Sequence, residues 1–124
     1  MKSILILDDD LRICEELAEF LSHRNYQVHT AGTPSLAREL LHRQAIELVF
    51  LDINLPEMSG MSFLKEIKCD FPGIKVIMIT GNLSQRVKEN AMKIGAEKYL
   101  QKPIHFSQVQ DAINQINKLN RREL

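Results

Sequence analysis

Asp8, Asp9, Asp52, Thr80 and Lys102 are the side chains of this sequence whose types and spacing could do chemistry together. Each stands at the end of a short apolar run, except Lys102, which follows a brief strand-like segment. Ile4-Leu5-Ile6-Leu7 leads into Asp8 and Asp9, Leu48-Val49-Phe50-Leu51 into Asp52, Ile77-Met78-Ile79 into Thr80, and Tyr99-Leu100-Gln101 into Lys102. Continuous apolar runs read as strands buried on both faces. Open α/β sheets bind ligands outside the carboxyl ends of such strands. Carboxylates gathered at one rim repel: two like charges about 4 Å apart cost about 4 kcal/mol at an effective dielectric near 20. A hard divalent cation with oxygen ligands relieves that conflict. Mg2+ suits a site with few protein ligands, because it keeps waters and shares phosphate oxygens. A carboxylate in such a place can attack phosphorus and form an acyl phosphate. A hydroxyl and an ammonium would then stabilise the phosphoryl oxygens. Asp52 is the expected phosphoacceptor, with Thr80 and Lys102 as its partners, and Asp10 is expected to cap a helix.

The elements that must position these groups alternate strand and helix five times. A helix over about residues 11–24 carries Ile13, Leu17, Phe20 and Leu21 at helical spacing. A mixed edge strand covers residues 26–31. Thr33 and Pro34 open a second helix, with Leu36, Leu40 and Leu41 as its inward face. Phe63, Leu64, Ile67 and Phe71 mark a third helix, and a fourth strand covers residues 74–79. Leu83, Val87, Ala91 and Ile94 mark a fourth helix stopped by Gly95. A brief strand at 99–101 precedes a last helix carrying Phe106, Val109, Ile113 and Ile116, which fades into a polar tail, Asn120 to Leu124. Every glycine and proline falls at an element boundary, so independent signals agree on the order. Right-handed crossovers then favour a doubly wound, flavodoxin-like three-layer α/β sandwich. Its five parallel strands in the order 2-1-3-4-5 would bring the first and third strand ends together.

At 124 residues the chain is expected to form one domain, residues 1–119, with 120–124 as a tail or the start of a linker. Lys plus Arg and Asp plus Glu both number 16, so there is no basic excess for direct nucleic-acid binding. No apolar run approaches a membrane span, and the apolar start is too short for a signal peptide, so a cytoplasmic location is expected. Cys14 and Cys69 have neither metal-ligand nor redox-pair spacing and read as reduced, buried or half-buried thiols. His23, His29 and His42 read as surface residues.

Leu-Asp-Asp after the first strand, Leu-Asp-Ile-Asn-Leu-Pro-Glu-Met-Ser-Gly, Ile-Thr-Gly, and Gly-Ala-Glu-Lys-Tyr-Leu-Gln-Lys-Pro occur in order across essentially the whole chain. In combination they resemble the receiver (response regulator) family of two-component signalling, most closely its enhancer-binding type. The resemblance implies that Asp52 takes a phosphoryl group from a sensor histidine kinase or a histidine phosphotransfer protein. It implies Mg2+ on Asp9, Asp52 and the Asn54 backbone carbonyl, with Asp8 reached through water. Thr80 and Tyr99 would be the switch, and Lys102-Pro103 would be a cis bond. The fourth helix, fifth strand and fifth helix would form the output face, which could also carry a homodimer contact. His105 departs from the family pattern, which often has a helix-capping acid there, so the last helix should start loosely or elsewhere. The chain either acts alone or continues beyond residue 124 into an effector domain.

Two other classes share parts of this pattern. A Mg2+-dependent aspartyl-phosphate phosphatase of the haloacid-dehalogenase kind also uses aspartate, threonine and lysine. Its nucleophile starts an Asp-x-Asp motif, whereas Asp52-Ile53-Asn54 lacks the second acid needed for acid/base work. A flavodoxin-like cofactor binder needs a phosphate-cradling loop after the first strand, where Asp8, Asp9 and Asp10 would repel the phosphate.

Overall fold

The computed structural model describes residues 2–81 and 84–122. Strands β1 (Ser3–Leu7), β2 (Gln27–Ala31), β3 (Leu48–Asp52), β4 (Lys75–Thr80) and β5 (Lys98–Gln101) alternate with helices α1 (Leu11–Ser22), α2 (Pro34–Arg43), α3 (Gly60–Asp70), α4 (Gln85–Ile94) and α5 (Phe106–Arg122). All strand pairs are parallel and the order is β2-β1-β3-β4-β5. The expected three-layer α/β sandwich is the fold.

Alternation along the strands sorts the core into two layers. Leu5, Leu7, Val49, Leu51, Val76 and Met78 face α2, α3 and α4 through Leu41, Phe63, Leu64, Ile67 and Ala91. Ile4, Ile6, Leu48, Phe50, Ile77 and Ile79 face α1 and α5 through Leu17, Leu21, Val109, Ile113 and Ile116. β1 and β3 are buried along their whole length, which is why they read as unbroken apolar runs. The register sets Leu7 beside Leu51, so the residues after β1 emerge next to Asp52.

Most element ends have a local cause. Asp10 caps α1, accepting from the Arg12 and Ile13 amides at 3.0 and 3.4 Å. Thr33 caps α2 with Pro34 at its first position, and Ser59 and Ser84 cap α3 and α4. Gly95 ends α4 at φ 127°, a conformation that favours glycine. Behind that turn, Lys68 Nζ donates to the Ile74 carbonyl at 2.9 Å and pairs with Glu97 Oε1 at 2.7 Å. Glu97 Oε2 accepts from the Val76 amide, so α3, β4 and the approach to β5 are tied together.

Several expectations need correction. α1 stops at Ser22, because the chain turns through Asn25 in the left-handed region (φ 68°). Leu36 does not face inward but is 44% exposed. The buried residues of α2 are Pro34, Ala37 and Leu41, with Leu40 partly buried against the same core, so Leu40 and Leu41 face inward as expected. Phe71 caps α3 rather than belonging to it. His29 is half-buried on β2, and Cys69 is exposed whereas Cys14 is buried. α5 continues to Arg122, through residues expected to form a tail, because neither glycine nor proline interrupts it. It begins directly after His105, whose carbonyl accepts from the Gln108 and Val109 amides. Leu83, Glu123 and Leu124 lie outside the described residues.

Candidate functional site

β1, β3, β4 and β5 deliver their last residues to one rim of the sheet. Asp8 leaves β1, with its amide donating to the Ala31 carbonyl at 3.1 Å. Asp8, Asp52 and Thr80 are buried polar residues. Asp9, one residue further on, is exposed. One carboxylate oxygen from each of Asp8, Asp9 and Asp52 lies within 4.8 Å of the others. Lys102 reaches in from the end of β5, placing Nζ 2.9 Å from Asp8 Oδ2 and 3.3 Å from Asp52 Oδ2.

The remaining contacts orient these carboxylates. Asp8 Oδ1 accepts from the Asp10 amide at 2.9 Å, and Asp52 Oδ1 from the Asn54 amide at 3.3 Å. Asp8 Oδ2 is buried and, despite its closeness to Lys102, receives no hydrogen bond of good angle. Cys14 Sγ donates to the Asp8 carbonyl at 3.2 Å. Burial and the neighbouring Asp8 push that thiol up to about 11.

One ammonium among three carboxylates does not balance the charge. Burial and then the Asp8 charge raise the Asp52 pKa to about 6, although Lys102 and the Asn54 amide pull it down. Burial works against the charge on Lys102, yet Asp8 and Asp52 outweigh it and hold the ammonium above its ordinary value. The residues therefore fit a hard divalent cation. Three oxygen donors lie in reach of one another, one buried oxygen lacks a well-aligned partner, and the net charge is negative.

Thr80 is fully buried at the end of β4. Its side chain hydrogen-bonds Tyr99, which is half-buried on β5; burial raises the Tyr99 pKa and this bond partly offsets the rise. Met78 stands opposite Tyr99 in the β4–β5 register, so ring and hydroxyl share the α3 and α4 side of the sheet. Asn54 lies exposed just past β3, and the Lys102-Pro103 bond is cis.

All the site residues suggested by the sequence lie at or near this rim. Gly60 was legible only as a helix boundary, but it is part of the site. A Cβ there would lie 2.1 Å from the Asp52 carbonyl oxygen, so α3 starts in direct contact with the Asp52 backbone. The Gly60 amide donates to the Ile53 carbonyl at 2.7 Å and closes the intervening loop.

With this geometry in place, the sequence profile described as "Response regulator receiver domain" matches residues 4–114. The chain belongs to the response regulator receiver family. A receiver domain described as CheY-like from Methanospirillum hungatei has a TM-score of 0.93 and 29% identity, with 100% of this chain and 99% of that one covered. The receiver is 35% identical to the transcriptional regulatory protein CrdR of Helicobacter pylori over 90% of this chain, and 37% identical to ZraR of Escherichia coli over 86% of it. It spans about half of CrdR and about a quarter of ZraR, at 53% and 24% of their lengths. The beryllofluoride-activated NtrC4 receiver dimer matches at a TM-score of 0.88 and 30% identity, covering 93% of this chain and 95% of that one. These likenesses agree with an enhancer-binding-type receiver in a signalling family, and they lend no support to the phosphatase alternative.

Proposed function

We propose that Asp52 accepts a phosphoryl group from a phosphohistidine of a sensor histidine kinase or a phosphotransfer protein. The observation that carries this reading is the convergence of Asp8, Asp9, Asp52 and Lys102 at one rim. An Asp52 carboxylate oxygen attacks phosphorus, the P–N bond breaks, and its electron pair leaves on the imidazole. With a pKa of about 6 the carboxylate is mostly ionised at pH 7 and available as nucleophile. Lys102 and Thr80 stabilise the phosphoryl oxygens, Lys102 with its charge and Thr80 with its hydroxyl. Asp9, Asp52 and the Asn54 carbonyl would hold Mg2+, with Asp8 reaching it through water. Bound there, the ion neutralises charge on the transferring group. Hydrolysis of the acyl phosphate, also assisted only by this rim, returns the resting state, so the domain catalyses nothing beyond its own modification.

The switch in this reading is the Thr80–Tyr99 pair. A phosphoryl group adds about −1.5 to −2 charge beside Thr80 and competes for its hydroxyl. Tyr99 must then change partner, which repositions β5 against α4 and α5. α4 suits such a response, because Ala91 is its one buried residue among those described. The α4–β5–α5 surface would carry the output, to an effector domain in a longer chain or to a second copy of the receiver. The dimer named for the NtrC4 receiver supports the second route. The location we infer is cytoplasmic; no helix among the described residues is long and apolar enough to cross a membrane.

Incubation with a small acyl-phosphate donor and Mg2+ should add one phosphate by intact-mass spectrometry. Asp52→Ala should add none, and labelling that persists in this variant would overturn the assignment.

A further inference from the structure

The loop from Ile53 to Ser59, between β3 and α3, carries Asn54, whose amide donates to Asp52 Oδ1 at 3.3 Å. Its two ends are pinned by short backbone contacts. The Ile53 amide donates to the Ile79 carbonyl at 3.3 Å, and Gly60 closes onto the Ile53 carbonyl at 2.7 Å. Between them the chain turns through Glu57 at φ 70°, a left-handed conformation that a residue with a side chain rarely adopts. Glycine would take that turn more easily, so a glutamate there needs a reason in its side chain.

The carboxylate supplies that reason. Glu57 Oε1 accepts from the Ser35 amide at 3.1 Å and from Ser35 Oγ at 3.0 Å, while Oε2 lies 2.9 Å from the same hydroxyl. Ser35 is the second residue of α2. Pro34 before it has no N–H, and the Leu36 amide after it is taken by Thr33 Oγ1 at 3.3 Å. Glu57 thus satisfies the remaining free amide of the first turn and places a negative charge at the positive end of the helix. The next residue strengthens the tie: Met58 Sδ contacts Arg38, which is paired with Glu66 of α3 at 2.6 Å. Through Glu57 the apex of the loop beside Asp52 is held by α2, an element with no residue in the rim itself.

We propose that Glu57 is a positioning residue for the cation site: its grip on the N-terminus of α2 sets the loop that presents Asn54 beside Asp52. The inference rests on the reading of that rim as a Mg2+ site and adds the element that holds its loop in place. Outer contacts that orient metal ligands commonly change affinity by about tenfold or more when removed.

The test compares Glu57→Gly and Ser35→Ala with the unchanged chain, reading Mg2+ affinity by calorimetry or amide NMR shifts and thermal stability in parallel. Glu57→Gly removes the carboxylate while easing the left-handed turn, so it should keep the melting temperature and weaken Mg2+ about tenfold. Ser35→Ala leaves the backbone of the loop unaltered and should weaken Mg2+ in the same direction by a smaller factor. Should Glu57→Gly lower stability as well, Ser35→Ala decides the matter alone. Mg2+ affinities within twofold of the unchanged chain in both variants would overturn the role of Glu57 and leave the rim assignment intact. Failure of the unchanged chain to bind Mg2+ would overturn both.

Discussion

Gly60 is in contact with the backbone of Asp52 across the β3–α3 loop, with no room for a methyl group between them. A Cβ at Gly60 would meet the Asp52 carbonyl oxygen at 2.1 Å, the Ile53 Cα at 2.7 Å and the Asp52 carbonyl carbon at 2.9 Å. All three are backbone atoms, so no side-chain rotation relieves the clash. Gly60→Ala must push α3 away from β3 or displace Asp52 from the rim. Urea unfolding should show a loss of about 3 kcal/mol, and the folded fraction should phosphorylate more slowly than the unchanged chain. Unchanged stability would mean that α3 starts further from Asp52.

The raised pKa of Asp52 has a consequence for stability without metal. In the unfolded chain the carboxyl ionises near its ordinary value of about 3.9, and in the folded chain at about 6. The folded state therefore holds the proton more tightly between these values. Stability on this account is fully present below about pH 4 and is lost as pH rises through about 6. Asp52→Asn, which cannot ionise, should exceed the unchanged chain by about 3 kcal/mol at pH 7 in EDTA, with the two converging near pH 4. Urea midpoints at the two pH values check the sign. A less stable Asp52→Asn at pH 7 would show that Lys102 outweighs burial and Asp8.

Lys102 is the one cation that contacts the acids among the described residues, at 2.9 Å from Asp8 and 3.3 Å from Asp52. Lys102→Met leaves those carboxylates facing one another. Without metal at pH 7 it should cost about 3 kcal/mol, and millimolar Mg2+ should recover part of the loss. Phosphorylation of Asp52 by an acyl phosphate should slow by about a hundredfold, since a preorganised cation is lost from the transferring group. A variant that phosphorylates at the normal rate would remove Lys102 from the chemistry.

The two cysteines should differ sharply toward thiol reagents. Cys14 is buried, its pKa is pushed up to about 11, and Sγ is engaged with the Asp8 carbonyl, whereas Cys69 is exposed. At pH 8 the folded chain should take up one label, on Cys69, and Cys14 should react only on unfolding. Fast labelling of Cys14 would indicate that α1 opens away from β1.

The order of elements and the positions of Asp8, Asp52, Thr80 and Lys102 at strand ends were legible in the sequence, because both are local properties. An apolar run, a cap and a helix breaker act over a few residues, and their spacing names the element without knowledge of its neighbours. Relations between distant segments were decided only in the folded chain. The closeness of Gly60 to Asp52, the Thr80–Tyr99 bond and the grip of Glu57 on Ser35 depend on how elements dock, and no local pattern encodes a docking distance. Leu36 makes the same point from the other side. Helical spacing grouped it with Leu40 and Leu41 as the inward face, yet in the folded chain Leu36 is exposed while Pro34 and Ala37 are buried beside Leu41, because packing selects a stripe by fit as well as by hydrophobicity. The pKa of Asp52 belongs with these. Its residue type was plain from the sequence, but its affinity for a proton comes from burial and from Asp8, which reaches it across 44 residues of chain only because β1 and β3 lie side by side.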